Sequence, residues 1–273
     1  MPNGSPAYGR RTWSHESRCI QYAAVPESRA AVAHLPHDLG IDTTRRSSGE
    51  AAALYIRRLI FDGVLRPGTR VPQDDVAEAL GISRIPVREA LIALEREAWV
   101  TIEMHRGAFV NTLDARAVRD HYELYGLMYG FAARHALAHT PADALAGKLR
   151  EIVGRLPAAD GPSAFGKLAF AFHRTVVEAA ASSRLEVVLR ALSALVPGDF
   201  FALVPGAVDE ERRSLPTIAR ALERGDADRA AAEYAVMMRR LGELVVEVLA
   251  ARGLFEMTPA PRSKRANGRQ SAR

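Results

Sequence analysis

The most constraining feature of the sequence is the order of helical and strand-like patterns in its N-terminal half. Apolar residues at helical spacing predict a first helix over 49–63, a second over Gln73–Leu80 and a third directly after Ser83. Two short runs of β-type residues follow at 99–103 and 108–112. Two helices, a short turn, a third helix and a two-stranded hairpin make up a winged helix-turn-helix.

Individual residues support these boundaries. Pro67 and Gly68 suit the central positions of a turn, and Gly81 suits the end of the second helix. Ser83 can cap the third helix, and Pro86 falls in its first turn, where the missing N–H costs little. The first half is therefore expected to fold as a small DNA-binding head.

Beyond Asp114 the sequence predicts helices alone, separated by proline and glycine breaks. Pro216 is expected near a helix start, where proline is tolerated. Six helices in this stretch favour an antiparallel bundle, which can enclose a ligand between facing helices. The expected ranges are 114–139, 142–156, 163–181, 184–196, 209–224 and 226–252.

The net charge of +5 is concentrated at the two ends of the chain. Residues 1–48 carry +2 and residues 257–273 carry +5, whereas 49–112 and 113–256 each carry −1. We therefore expect a flexible arm over 1–48, a DNA-binding domain over 49–112, a helical effector-binding and dimerisation domain over 113–256, and a basic disordered tail over 257–273. A DNA-binding surface on the folded part must come from local placement of arginines, because bulk charge does not supply it.

Composition excludes several other classes of protein. Hydrophobic residues make up 48% of the chain, enough for a sizeable core. No apolar run is long enough to span a bilayer, and the N-terminal sequence has no apolar signal core, so we expect a cytoplasmic protein without a membrane partner. The single Cys19 rules out an intramolecular disulfide and a cysteine-based zinc cluster.

The string GISRIPVREAL at 81–91 contains the chemistry expected of a DNA-reading helix. Arg84 and Arg88 are four residues apart and share one face, opposite an apolar stripe. At the start of such a helix, arginine can pair with guanine O6 and N7 in the major groove. The Ser83 hydroxyl and the free N–H groups of the first turn suit a phosphate, and Arg106 beside the flexible Gly107 suits a second phosphate or the minor groove.

At these residues the chain resembles the GntR family of bacterial transcription regulators. The resemblance rests on GVLRPGTRV, VAEALGISRIPVREALIALEREAWV and RGAFV. Some relatives have a DNA-contacting arginine in the second helix, where this chain has Asp74. The alternative is that Arg84 and Arg88 only pair with acids such as Glu89 on a solvated face. The resemblance and the residues together predict DNA contacts at Ser83, Arg84, Ile85, Pro86, Arg88, Arg106 and Gly107.

The second half resembles the FadR-type branch of that family, with its helical FCD domain, through ELYGLMYGFAARHAL, AFHRTVVEAA and IARALERGDADRAAAEYAVMMRRL. The resemblance implies a pocket in which many relatives hold a divalent metal with a carboxylate and three histidines. Of those four ligand positions only His173 matches. We therefore expect no metal and no cofactor, and an effector more apolar than a small carboxylate, with His173 as its polar anchor. The expected pocket residues are Met128, Ala169, His173, Leu215 and Met237.

The function that these patterns favour is a homodimeric transcription regulator, expected to be a repressor, that binds a palindromic double-stranded operator and responds to a small molecule in the bundle. One alternative is a constitutive DNA-binding protein whose pocket has collapsed. Another is an enzyme with His173 as a general base, but no nucleophile–base pair, phosphate loop or carboxylate dyad accompanies it. We therefore expect that the chain is not an enzyme.

Overall fold

The computed structural model describes residues 35–36, 47–193 and 195–255. The whole of the expected tail at 257–273 and most of the expected arm at 1–48 lie outside these residues. Within the arm, Leu35 is buried, and the Tyr55 hydroxyl donates to the carbonyl of Pro36 at 2.7 Å. This short piece therefore packs against the first helix, although the arm as a whole was expected to be flexible.

The N-terminal head is a winged helix-turn-helix, as predicted. Its observed elements end within two residues of the predicted ranges. They are α1 (Ser48–Phe61), α2 (Gln73–Leu80), α3 (Arg84–Arg96), β1 (Val100–Glu103) and β2 (Gly107–Val110).

Local hydrogen bonds explain where α1 and α2 begin and end. The Ser47 hydroxyl accepts from the Glu50 N–H while the Glu50 carboxylate accepts from the Ser47 N–H, which forms a capping box. Gly63 has φ +74° and lies beyond the end of α1, so the prediction of a helix through residue 63 was too long. Gly81 has φ +63° and ends α2 as predicted, since glycine adopts this left-handed conformation without strain.

The wing is a two-stranded antiparallel sheet extended by a short third segment. Val100 pairs with Val110, and Glu103 pairs with Gly107 beside the tip. Arg70, in the segment before α2, forms an isolated bridge with Phe109, and the Val71 N–H donates to the Ala108 carbonyl at 2.8 Å. These bonds attach the wing to the segment that leads into the helix-turn-helix.

The rest of the described chain is a helical bundle, as expected. Its helices are α4 (Ala115–His139), α5 (Ala142–Arg155), α6 (Gly161–Ala179), α7 (Ser183–Leu192), α8 (Phe200–Leu203), α9 (Ala207–Glu223) and α10 (Ala227–Ala251), with a 3-10 turn at Leu156–Ala158. Compared with the sequence-based ranges, α7 ends earlier, and the short α8 was not predicted. None of the described helices is both long and apolar enough to cross a membrane.

Pro216 lies in the middle of α9, so its predicted position near a helix start was wrong. The ring removes one backbone hydrogen bond of the helix. Leu215 and Ile218 beside it are fully buried, and their burial favours the continuous helix over a break.

The most extensive packing between two described helices of the bundle is that of α4 against α10. A Cβ atom placed on Gly126 would lie 3.1 Å from the Cα of Ala235, and one on Gly242 would lie 2.8 Å from the Cβ of Tyr122. Glycine at these positions therefore lets the two helices approach closely, and this approach fixes which side chains of α4 face the interior.

Candidate DNA interface and effector cavity

The first turn of α3 presents its polar side chains to solvent. Arg84 and Arg88 are exposed, and the Ile85 side chain is 69% exposed. Val87 and Leu91, on the opposite face, are buried in the core of the head. This division sets the orientation of α3, because rotating the helix would expose its apolar stripe.

Ser83 occupies the N-cap position of α3, as predicted, but its side chain accepts no hydrogen bond from the helix. The N-cap side chains of α1, α4, α7 and α10 all do so. The hydroxyl is exposed, and the Pro86 ring takes away one of the N–H groups of the first turn. Ser83 is therefore placed to bond a group from outside the protein, such as a phosphate oxygen.

The two arginines of α3 differ in their surroundings. Arg84 forms an ion pair with Asp74 of α2, and both side chains are 62% exposed. Such an exposed pair contributes little to stability and opens readily. Arg88 forms no ion pair with any residue of the described chain. Arg84 therefore pairs with an acid on a solvated face, as the alternative expected, whereas Arg88 pairs with neither Glu89 nor another acid of the described residues.

The wing carries one predicted arginine, and a second arginine, missed by the sequence analysis, packs against it from the segment before α2. Arg106 pairs with Glu103 near the tip, and its guanidinium lies 5.5 Å from the centre of the Phe109 ring. The Arg70 guanidinium covers Gly107, where an added Cβ would lie 2.7 Å from its Nε. Gly107 also has φ +108°, so glycine is required there on two counts. The pairing of Arg70 with the wing depends on strand register, which its position in the sequence does not reveal.

A cavity of about 740 Å³ lies inside the bundle. Residues of α4, α6, α7, α8, α9 and α10 line it, together with the segment between α7 and α8. Its size is within the range of small-molecule sites. Its lining includes Tyr122, Tyr125, Tyr129, Phe170, His173 and Glu211.

Two of the five predicted pocket residues, Ala169 and His173, line this cavity. Leu215 and Met237 are instead fully buried in the core, and Met128 is half-buried against it. The difference comes from helical phase. Glu211, one turn before Leu215, and Met238, the next residue after Met237, take the lining positions.

The buried polar group of the cavity is a chain of three side chains. His173 and Glu211 are 8% and 4% exposed, and the His173 Nε2 lies 3.1 Å from the Glu211 Oε2. On the other side of the imidazole, Nδ1 lies 3.4 Å from the Tyr234 hydroxyl. Both imidazole nitrogens therefore have partners within the protein. The role of His173 as the effector's anchor stays a prediction.

Glu210 and Glu211 are adjacent in sequence, but their surroundings are opposite. Burial alone would raise the pKa of Glu210, yet hydrogen bonds from Arg213, Arg240 and Ser214 outweigh it and lower the pKa. Glu211 bonds to His173, and no arginine or lysine of the described residues lies within ion-pair distance of it. Nothing in the sequence-based ligand positions pointed to Glu211.

Three tyrosines of α4 form one wall of the cavity. Tyr122, Tyr125 and Tyr129 recur at intervals of three and four residues, and the Tyr129 ring stacks on Tyr234 at 5.0 Å between centroids. Burial raises the pKa of all four hydroxyls, and the negative charge of Glu211 raises each one further. The tyrosines therefore stay protonated and neutral. Their spacing was visible in the sequence and could have been read as a cavity wall.

The cavity does not provide the ligands that a divalent metal needs. A protein metal centre of this type uses three or four nitrogen, oxygen or sulfur donors. Within residues 35–36, 47–193 and 195–255, no three His, Cys, Asp or Glu side chains are grouped closely enough to hold an ion. His173 and Glu211 alone supply too few donor atoms to hold a divalent ion.

The end of α10 connects the bundle to the head. Arg252 donates to the carbonyl of Phe61 at 3.1 Å, and its guanidinium lies 4.2 Å from the centre of the Phe61 ring. It also lies 3.5 Å from a carboxylate oxygen of Asp62. Because Tyr234 and Met238 belong to the same helix, α10 runs from the cavity region to the end of α1.

Both folded parts of the chain, the head and the bundle, match known protein families. Residues 49–110 match the family of "Bacterial regulatory proteins, gntR family", and residues 120–240 match the FCD domain. An HTH-type transcriptional regulator of Mycobacterium tuberculosis is 34% identical over 156 residues, which is 57% of this chain and 64% of that protein. The match therefore spans a little under two thirds of that relative.

Two further comparisons extend the family likeness. An HTH-type transcriptional regulator from the ttuE-ttuC' intergenic region of Agrobacterium vitis is 31% identical over 128 residues, 46% of this chain and 72% of that one. The solved structure of E. coli McbR/YncC has the same fold, with a TM-score of 0.51 and 19% identity over 74% of this chain and 98% of that one. The chain therefore belongs to the GntR family of bacterial transcription regulators, with a winged helix-turn-helix head and an FCD domain.

Proposed function

We propose that this chain is a repressor that binds a palindromic operator as a homodimer and leaves it when a small molecule occupies the bundle. The observation that carries the proposal is the exposed start of α3, where Ser83, Ile85 and Arg88 have no partner elsewhere in the described chain. Arginine reads guanine and an apolar side chain reads the thymine methyl in the major groove. A hydroxyl at a helix N-terminus suits a phosphate.

The repressor role is supported by similarity to a named repressor. The HTH-type transcriptional repressor RspR of E. coli is 35% identical over 65 residues, which is 24% of this chain and 28% of RspR. Deleting the gene for this chain should therefore raise transcription from promoters whose DNA it binds.

The dimer is supported by an apolar stripe on the outer face of α4. Leu124, Leu127 and Phe131 follow helical spacing and are 51%, 61% and 39% exposed. A contiguous apolar face of this kind marks an interaction surface. A second copy of the chain is the natural occupant, since one small head binds DNA weakly and two heads on neighbouring half-sites bind tightly.

The effector response is supported by the open cavity. A protein whose pocket had collapsed would fill the space between α4, α6 and α9 with side chains, whereas about 740 Å³ is present. Its aromatic walls favour an effector more apolar than a small carboxylate. A ligand that changes the position of α10 would move Arg252 and, through it, the end of α1. Release then requires the ligand to bind the DNA-free arrangement more tightly.

The decisive experiment is selection of the bound fragments from the source genome, followed by footprinting of the selected sites. We expect protection of two inverted half-sites whose centres lie about one helical turn, or a multiple of it, apart. Sedimentation of the protein at micromolar concentration should give a dimer. Uniform binding without sequence preference, or a stable monomer on the operator, would contradict the proposal.

A further inference from the structure

In the buried Tyr234–His173–Glu211 chain, burial decides which atoms donate hydrogen bonds and which accept them. The Tyr234 side chain is fully buried, and among the described residues the His173 Nδ1 is the one hydrogen-bond partner of its hydroxyl. A buried hydroxyl proton needs an acceptor, so Nδ1 accepts and the imidazole carries its proton on Nε2. The Nε2–H then donates to Glu211. This order gives Glu211 a neutral donor only, so an ionised Glu211 has no counter-charge within the chain.

Among the described residues, no arginine or lysine lies within ion-pair distance of Glu211. The neighbouring Glu210 is bonded by the guanidiniums of Arg213 and Arg240 and by the Ser214 hydroxyl. Glu211, equally buried, has a single hydrogen bond from the part of the chain that the structure describes, and it lines the cavity. A desolvated carboxylate is stable only when a positive group or several donors neutralise it. The cavity is the side from which such a group can come.

The walls beside Glu211 also favour a cation. Tyr122, Tyr125 and Tyr129 stay neutral, and the faces of aromatic rings attract positive charge. The exposed charged residues of the lining are two arginines and two glutamates, so they show no preference for either sign. They are Arg174, Arg190, Glu178 and Glu186, and Arg174 is paired with Glu178 at 3.0 Å. Discrimination by charge therefore occurs at the buried end of the cavity.

We propose that the effector of this cavity is a protonated amine on an apolar body, with its ammonium group bonded to Glu211 beside the tyrosine wall and its apolar part towards Phe170. The proposal rests on the effector-responsive function proposed above and names the chemical class of its ligand. An ammonium group supplies the donors and the positive charge that Glu211 lacks. A carboxylate ligand would instead meet Glu211 as a like charge in a desolvated site.

Three probes of the same shape test the proposal on the full chain. Phenylbutylamine, phenylbutanol and phenylbutyrate share a phenyl ring and a four-carbon chain, and their end groups are positive, neutral and negative. Calorimetric titration near neutral pH measures the dissociation constant of each. We expect the amine to bind at least about tenfold more tightly than the alcohol, which corresponds to about 1.4 kcal/mol, and the carboxylate to bind most weakly. Equal binding of the three, preference for phenylbutyrate, or binding of none would overturn the proposal.

Two variants locate the ammonium group. Glu211→Gln keeps the shape and the hydrogen bond to His173 but removes the charge, and it should reduce amine affinity about tenfold with the alcohol unchanged. Glu186→Gln, at an exposed acid that also lines the cavity, is the matched control and should leave all three affinities unchanged. An equal loss of amine affinity in both variants would place the charge selection at the mouth and refute the assignment to Glu211. If Glu211→Gln does not fold, the ranking of the probes on the unaltered protein still decides.

Operator binding separates failure of this inference from failure of the proposed function. Footprints on selected DNA are measured without any probe and test the regulator alone. Intact footprints with no amine preference would support the proposed regulator and contradict the amine as its ligand class. Amine-selective binding without specific footprints would support the ligand class and contradict the regulator.

Discussion

The head and the bundle treat their charged side chains in opposite ways. On the head, Arg84 pairs with Asp74 at the surface, and Arg88 has no ion pair among the described residues. In the bundle, Glu211 is 4% exposed and belongs to a chain of buried hydrogen bonds. A solvated arginine without a phosphate or base partner lowers the stability of the fold very little, whereas a buried carboxylate must be neutralised. The head is thus prepared for a large polyanion, and the bundle for a small ligand that fits.

The largest effect that this contrast predicts is on stability, at His173. His173→Leu should lower the free energy of unfolding by about 3 kcal/mol, because Glu211 is then left buried without its donor and Tyr234 without its acceptor. Urea unfolding followed by circular dichroism measures the change. His139→Leu, at an exposed histidine of α4, is the control and should change stability by less than about 0.5 kcal/mol. Similar small losses in both variants would show that the buried chain is not a structural unit.

The next effect should appear on DNA and leave stability unchanged. Arg88→Ala is expected to weaken binding to the selected operator by about 1–3 kcal/mol and to relax base preference at one position of each half-site. Competition binding against operators with single base changes measures both quantities. Arg116→Ala, at an arginine of α4 whose side chain is 85% exposed, should behave as the unaltered protein. Unchanged base preference in Arg88→Ala would contradict the placement of α3 in the major groove.

The two regions also differ in how far the sequence predicts them. The head is built from local signals: turn glycines, an N-cap serine and an apolar stripe occur within a few residues of the structure they specify. Its elements and the exposure of Arg84 and Arg88 follow from these signals. Arg70 was missed because its approach to Gly107 depends on pairing with a strand almost forty residues away.

The cavity depends on the rotation of long helices, and the sequence does not fix that rotation closely enough. One residue along a helix turns a side chain by about 100°. The predicted Met237 therefore lies in the core while Met238 lines the cavity. Glu211 was missed because the expected pocket residue of this helix fell one turn later, at Leu215, and because acidic side chains are rarely buried.

A third effect concerns the connection between the regions. Arg252→Ala should cost about 1 kcal/mol of stability, since it removes a hydrogen bond to the Phe61 carbonyl and a cation–π contact with the ring. Operator affinity without effector should stay the same, but release of DNA by phenylbutylamine should weaken. Arg239→Ala, on the same helix, is the control. A variant that keeps full release would exclude this contact as the route between cavity and head.

The smallest effect should come from the wing, whose phosphate contact positions the protein on DNA, whereas the base contacts of α3 read the sequence. Arg106 lies near the hairpin tip with its guanidinium against Phe109, and we expect it to contact a phosphate and no base edge. Arg106→Ala should then weaken operator and unrelated DNA by the same factor and reduce the slope of log affinity against log salt by about 0.9 for each phosphate that the arginine neutralises. Arg88→Ala, as a base contact, should lower operator affinity and leave that slope unchanged. Binding measured at several salt concentrations distinguishes the two variants. If Arg106→Ala instead lost discrimination between sequences at constant slope, the wing would be reading the minor groove, and the division between a reading helix and a positioning wing would fail.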